Sequence, residues 1–429
     1  MPLISQRFVN SIIRLAPLPS PKGTAHQLPS SKSISNRALI CHALSGHQST
    51  LHNLSAARDT RLMQALIDSP AETIDVMDAG TTMRFLTAYF AATNQPKIIT
   101  GTARMKERPI ALLVDALRKL GAHIDYLEKE GYPPLHVRGF DRQQSRAISM
   151  AGNVSSQYIS ALMMIGPTLP LGLELTLTGP VASVPYIQMT VELMKAFGVS
   201  VYFDRTKVIV EPQSYRPATL TIEADWSAAS YWFAMVALSQ QAEIRLPHLV
   251  LNSWQGDVAI VDIMDRLGVK AQFHSQGALL SKKDHQSTLE WNFVDCPDLA
   301  QTVLPVCAAK GVVGRFTGLE SLRIKETDRI AALQTELMKI GATLQEETTG
   351  VWVLTPAEQA GLPAWSADKP GKLPSSVSIA TYHDHRMAMG FAPWACLTEV
   401  SIEHPEVVEK SYPGFWEDMK SVGFGLQSH

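Results

Sequence analysis

Four segments of this chain end alike. Leu117-Arg-Lys-Leu-Gly121, Leu193-Met-Lys-Ala-Phe-Gly198, Met264-Asp-Arg-Leu-Gly268 and Leu337-Met-Lys-Ile-Gly341 each close a run with helical spacing of apolar residues. Each is followed by alternating residues, such as Val199-Ser-Val-Tyr-Phe203 or Val351-Trp-Val-Leu354. A glycine just after a helix takes the left-handed conformation that ends it, and period-two alternation signals a strand. The glycines recur 77, 70 and 73 residues apart. That is too long for a solenoid period and suits a repeated α/β subdomain. A chain of 429 residues exceeds one ordinary core, so two domains built from such copies are expected.

Charge is placed locally rather than in blocks. The net charge is −2, from 38 Lys+Arg against 40 Asp+Glu, and no basic tail points to nucleic acid or an anionic membrane. No run approaches the length of a membrane-spanning helix, and the first residues lack a signal-peptide pattern. Cys41, Cys296, Cys307 and Cys396 have neither metal-type spacing nor a close pair, which fits a reducing cytoplasm. His383 and His385 are two apart and point away from each other on a helix, so no metal site is read there. Neither a P-loop nor a dinucleotide fingerprint occurs.

The cations that remain gather at helix starts. In Arg323-Ile-Lys-Glu-Thr-Asp-Arg329, running into an amphipathic helix over Ile330–Ile340, Lys325 and Arg329 stand four apart in a first turn, with Glu326 and Asp328 among them. Ser30 and Ser31 are cap-type residues ahead of Lys32, Ser33 and Arg37. Gly80 precedes Thr81, a candidate cap, and Arg84; Arg108 precedes Pro109, a candidate first helical residue. Ser155, Ser156 and Gln157, then Ser183 and Tyr186, open further helices, as do Asp225, Asp298, Arg386 and Lys410. A helix start already carries partial positive charge and unpaired N–H groups, so cations accumulate there only beside an anion. Asp298 and Glu326, lying within this charge, are candidates for moving protons.

The motifs Leu-Pro-Ser-Ser-Lys-Ser-Ile-Ser-Asn-Arg (28–37), Asp-Ala-Gly-Thr-Thr-Met-Arg (78–84), Arg-Met-Lys-Glu-Arg-Pro-Ile (104–110), Ser-Ser-Gln-Tyr (155–158), Arg-Ile-Lys-Glu-Thr-Asp-Arg (323–329), Asp-His-Arg-Met-Ala-Met (384–389) and Lys-Ser-Tyr-Pro-Gly-Phe (410–415) resemble, in order and over nearly the whole chain, the signatures of the 5-enolpyruvylshikimate-3-phosphate synthase family. The resemblance implies an α/β (α+β) fold of two domains, each of three βαβαββ units with helices buried beneath sheets. It implies a terminal domain of residues 1–26 and 225–429, an inserted domain of residues 27–224, and a site in the cleft between them. It implies transfer of the enolpyruvyl group of phosphoenolpyruvate to the 5-hydroxyl of shikimate 3-phosphate, releasing phosphate, by addition and elimination through a tetrahedral adduct. No metal or organic cofactor is implied, and a cytoplasmic monomer is expected.

By motif, shikimate 3-phosphate would contact Ser33, Arg37, Ser155, Ser156, Ser183, Tyr186, Asp298, Ser321 and Lys325. Phosphoenolpyruvate would contact Lys32, Arg108, Gln157, Arg329, Arg386 and Lys410, with Gly80 beside it. Asp298 would be the base at the 5-hydroxyl, Glu326 the acid at the methylene carbon, and Lys32 would stabilise the developing charge.

The chain departs from the family pattern at several positions. The usual Asn-Ala-Gly-Thr-Ala-Met-Arg-Pro reads with Asp78, Thr82 and Phe85 here, so the response to glyphosate, the family's inhibitor, is not carried over. Ser30 stands for a usual Gly and Ser321 for a common Asn. The stretch between Arg61 and Asp78 is short, where a typical member has a strand pair. UDP-N-acetylglucosamine enolpyruvyl transferase, a rival of the same fold, carries a Cys ahead of Arg-Pro, and Ala103-Arg-Met-Lys-Glu107 holds none. A non-catalytic anion-binding relative would not need Asp298, Glu326 and Lys32 together.

Overall fold

A computed structural model describes residues 11–357 and 374–428. The chain divides into two compact units. One comprises Ser30–Glu223 with Trp254–Gly256, and the other Met1–Pro29, Ala224–Ser253 and Asp257–His429. The stretch 356–378, whose Pro, Gly, Ser and Ala content predicts an irregular loop, lies largely outside the described residues, and its end enters the strand Ser376–Ile379.

In the inserted unit, helices α1 (Lys32–Leu44) and α2 (Arg58–Ile67) flank the strand Thr50–His52, which pairs in parallel with Thr219–Thr221. Next come the strand Thr73–Asp75, α3 (Gly80–Ala92), the strand Lys97–Thr100, α4 (Ala103–Lys106), α5 (Ala111–Leu120) and the hairpin Ala122–Tyr126/Leu135–Phe140. The strand Ala147–Ala151, α6 (Ser156–Ile165), the strand Leu173–Thr178, α7 (Val184–Ala196) and the hairpin Tyr202–Phe203/Lys207–Val210 complete it. The terminal unit carries α8 (Trp226–Leu238) and α9 (Ile260–Arg266), then α10 (Ala300–Lys310) and α11 (Arg329–Met338), then α12 (His385–Phe391) and α13 (Phe415–Ser421). Its three four-stranded sheets follow one rule. Two strands linked by a helix pair in parallel, and a hairpin adds antiparallel beyond the second. In the last of them, Ile12–Leu15 supplies the hairpin strand that partners Leu426–Ser428.

Six copies of a βαβαββ plan are therefore present, and five are complete. The sixth has α1, α2 and two parallel strands, but the chain runs from α2 to Thr73 through residues 68–72 with no hairpin. This is the short stretch visible in the sequence. Gly121, Gly198, Gly268 and Gly341 all have positive φ after α5, α7, α9 and α11, and Gly423 repeats the device after α13. After α2 stands Asp68 at φ −111°, where no hairpin follows.

The helices form two classes. The first helix of each copy is buried almost all round: α8 and α10 present apolar or small residues on every side, as a helix sunk beneath sheets must. The second helices α5 and α11 bury one face only. Trp226, Trp232 and Trp394 are fully buried in the terminal unit, each contributing at least about 1.5–3 kcal/mol as buried apolar bulk. The Trp232 N–H donates to Tyr412 Oη at 3.1 Å, whose hydroxyl donates to Asp418, so the buried polar atoms are met.

Gly121 sits at φ +115°, and a Cβ there would lie 2.5 Å from the Arg142 carbonyl oxygen. Gly121→Ala is expected to destabilise the inserted unit by on the order of 1–3 kcal/mol. Urea denaturation should show a lowered midpoint.

Candidate functional site

In the inserted unit the first turns of the buried helices meet. Ser31 caps α1 through the Ile34 N–H, placing Lys32 in the first turn. Lys32 Nζ lies 3.2 Å from Asp59 Oδ2 at the start of α2. One turn on, Arg37 is buried and held by Thr190 of α7 (2.8 Å from Nε), the Ser33 carbonyl (3.0 Å) and Ser160 of α6 (3.1 Å). Its guanidinium lies over Phe85 and Tyr186. All these partners are neutral, so burial pulls Arg37 down to about 10. Gln157 Nε2 donates to Thr81 Oγ1 at 2.9 Å, joining α6 to α3. Ser155 precedes Ser156 at the α6 start, and Ser183, in the left-handed region at φ +56°, precedes α7.

Gly80 opens α3 against the ends of two arginine side chains. A Cβ there would fall 2.7 Å from Arg84 Nη1 and 2.8 Å from both terminal nitrogens of Arg108. Arg84 donates to the Gly80 and Pro109 carbonyls. Arg108 is buried, and its Nε has no hydrogen-bond partner among the described residues. A guanidinium in that state, against bare helix-start N–H groups, is a receptor for an anion.

The terminal unit gathers acids as well as bases. Asp298 lies in the short 3-10 turn Pro297–Leu299 ahead of α10. Its Oδ2 is 2.8 Å from Arg386 Nη2, and its Oδ1 is 3.0 Å from Arg329 Nη1 and 3.7 Å from Lys325 Nζ. Glu326 reaches Arg329 at 3.0 Å and Lys410 at 3.9 Å. Asp384 caps α12 through the Arg386 N–H and pairs with Arg329 Nε at 2.7 Å. Burial alone would raise Asp298, but Arg386, Lys325 and Arg329 outweigh it and hold the carboxyl far below the usual range. Burial would lower Arg329, yet Asp384, Glu326 and Asp298 keep it firmly charged. Lys325 is pulled down, by burial first and then by the neighbouring arginines against its acids. Ser321 stands half-buried on the 3-10 turn Glu320–Ile324.

Three expectations change, the first being that Pro109 lies ahead of the α5 N-cap, Ile110, and is not a first helical residue. Lys325 is not in a helical first turn but extended, at φ −89° and ψ −151°. Asp328 accepts from the N–H groups of both Ile330 and Ala331 and fixes the helix start at Arg329. Likewise Thr81 does not cap α3, whose N-cap is Ala79 with no side-chain bond.

Four residues passed over in the sequence belong to these clusters: Asp59, Ser227, Asp257 and Asp384. Ser227 donates to Asp257 and lies 3.4 Å from Arg386 Nη2. Burial, then Asp298, raises Asp257 to about 7. Asp59 and Asp384 each sit beside a quoted cation, as acids at helix starts, which was the available signal; Asp257 carries no such mark. Among the described residues no group of three or more His, Cys, Asp or Glu is placed to hold a metal, and no helix is long and apolar enough to cross a membrane.

Fold and clusters together define a class: two-unit α/β proteins of repeated βαβαββ copies that gather cations at their helix starts. The chain belongs to the EPSP synthase (3-phosphoshikimate 1-carboxyvinyltransferase) family, whose sequence model matches residues 65–419. It is 48% identical over 406 residues to the 3-phosphoshikimate 1-carboxyvinyltransferase of Bacteroides fragilis (strain YCH46), covering 94% of this chain and 95% of that one. It is 34% identical over 425 residues to the protein of that name from Methanospirillum hungatei JF-1, covering 92% and 94%. An EPSP synthase structure from Acinetobacter baumannii superposes with a TM-score of 0.77 at 19% identity, covering 98% of this chain and all of that one.

A pH signature follows from Asp257. Its folded pKa lies above the unfolded value of about 4, so the folded state binds the extra proton between about pH 4 and 7. Stability from this group is therefore present at low pH and lost as pH rises through that window. Asp257→Asn mimics the protonated form. Its Tm should match the native protein at or below about pH 4 and exceed it by several degrees at pH 8.

Proposed function

We infer that this chain transfers the enolpyruvyl group of phosphoenolpyruvate to the 5-hydroxyl of shikimate 3-phosphate, releasing phosphate, within the shikimate pathway to chorismate and aromatic amino acids. The observation that carries the reading is Arg108. It is a buried guanidinium with an unpartnered Nε, its terminal nitrogens close against Gly80, and it is suited to receive an anion.

In this proposal phosphoenolpyruvate takes Lys32, Arg108, Gln157, Arg329, Arg386 and Lys410, beside Gly80. Arg suits its carboxylate and phosphate through bidentate contacts. Shikimate 3-phosphate takes Ser33, Arg37, Ser155, Ser156, Ser183, Tyr186, Asp298, Ser321 and Lys325. Alignment of the two substrates supplies much of the rate.

Glu326 protonates the methylene carbon, C2 becomes electrophilic, and the 5-hydroxyl attacks while Asp298 takes its proton. Asp298 is a poor base while three cations hold it. An anionic substrate that engages Arg386 and Arg329 offsets those charges and raises its proton affinity, so the base strengthens when the substrate arrives. Loss of a methyl proton and of phosphate restores the double bond. Lys32 stabilises charge on the departing phosphate. The chain acts as a monomer, without cofactor, in the cytoplasm; four buried free cysteines suit that reducing compartment.

Phosphate release should require shikimate 3-phosphate and phosphoenolpyruvate together. No release, or release only with UDP-N-acetylglucosamine as acceptor, would reject the reading. Lys32→Met should lower kcat by roughly a hundredfold or more while leaving thermal stability near native; a near-normal rate would remove Lys32 from the chemistry.

A further inference from the structure

Asp78 is a problem for any anion site built around Gly80. It stands two residues ahead of that glycine, on the lead-in to α3, where the family pattern has a neutral Asn. Asp75 Oδ1 accepts from the Met77 N–H at 2.7 Å, and the Met77 carbonyl accepts from Thr102 N at 3.0 Å. The α3 start has no side-chain cap. The Cβ position of Gly80 lies 2.8 Å from both terminal nitrogens of Arg108, so an anion bound there and at the α3 start would feel the charge two residues ahead of that glycine, and like charges oppose each other.

The chain supplies a counter-ion. Arg58, the first residue of α2, places Nη2 2.6 Å from Asp78 Oδ1. The next residue, Asp59, pairs with Lys32, and its carbonyl lies 3.4 Å from Thr82 Oγ1 of α3. Consecutive residues of one helix start thus offer a cation to the α3 lead-in and an anion to α1.

We propose that Arg58 masks Asp78, so that the Arg58–Asp78 pair sets the affinity of this chain for the anionic donor bound at Arg108. The proposal rests on the reading of that site as the phosphoenolpyruvate site. An ordinary surface ion pair would contribute little to stability and nothing to binding. Masking instead predicts a defect that depends on Asp78.

The test is steady-state kinetics on Arg58→Gln, Asp78→Asn and the double variant, with thermal melts of each. Arg58→Gln should raise KM for phosphoenolpyruvate by roughly three- to tenfold, leave KM for shikimate 3-phosphate unchanged, and change kcat by less than about twofold. Added salt should alter the defect, since exposed charges are screened. The double variant should recover a KM close to native. An unchanged KM in Arg58→Gln, or no recovery in the double variant, overturns the proposal; a lowered Tm alone marks the pair as structural. If the native protein releases no phosphate, the proposed function falls. The counter-ion is then judged by calorimetric titration with phosphoenolpyruvate, where the same order of affinities is required.

Discussion

A buried guanidinium must have its charge met, and the two units answer that requirement differently. In the terminal unit Arg329 is almost wholly enclosed and meets Asp384, Glu326 and Asp298. Such a group is costly to desolvate and costly to break once built, so the α11 and α12 starts are fixed relative to each other before any ligand arrives. In the inserted unit Arg37 meets only hydroxyls and a carbonyl, and Arg108 lines a glycine with its Nε unpartnered. That cluster is left short of negative charge. One unit pairs its buried arginine with acids and the other surrounds its own with neutral groups, a division that follows from which partners the buried cations were given.

Much of this was legible because the signals were local. Ser31 before Lys32, Asp225 before Trp226 and the four glycines that close α5, α7, α9 and α11 are chemistries of one or two residues, and the structure realises them. The positions of Lys32 and Arg386 in first turns follow from caps of the same kind. Lys325 was misread because two acids, Glu326 and Asp328, compete to cap the helix start, and only the fold decides that Asp328 wins both N–H groups. Asp257 was illegible for another reason. Its role depends on Ser227, Arg386 and Asp298, which lie 30 or more residues away in sequence and reach it only through tertiary packing.

The repeated plan also explains where the chemistry sits. Lys32, Asp59, Gly80, Ser156, Ser227 and Arg386 all lie within the first turn of a helix, and Arg108, Ser183, Asp298, Glu326 and Lys410 lie just ahead of one. In parallel βα units the helix start stands at the carboxyl end of the strand, where N–H groups are free and ligands bind. The hairpins lie at the opposite end of this logic. They complete the sheets, and none of the residues assigned a role falls in one. Loss of a hairpin therefore removes sheet area without touching the helix starts.

The sixth copy shows that separation. It has shed its hairpin, yet α1 keeps Lys32 and Arg37 in place through bonds that do not involve a hairpin: Asp59 from α2, Ser160 from α6 and Thr190 from α7. The Ser55 N–H donates to Ser35 Oγ at 3.0 Å, tying the lead-in of α2 to α1. A copy whose strands form only a two-stranded sheet could not stand alone. It stands here because its first helix is packed among α2, α3 and α7, so the apolar surface a full sheet would cover is met by helices. Stability and chemistry are thus carried by different parts of each repeat, which is why one part can shorten while the other keeps every residue at its post.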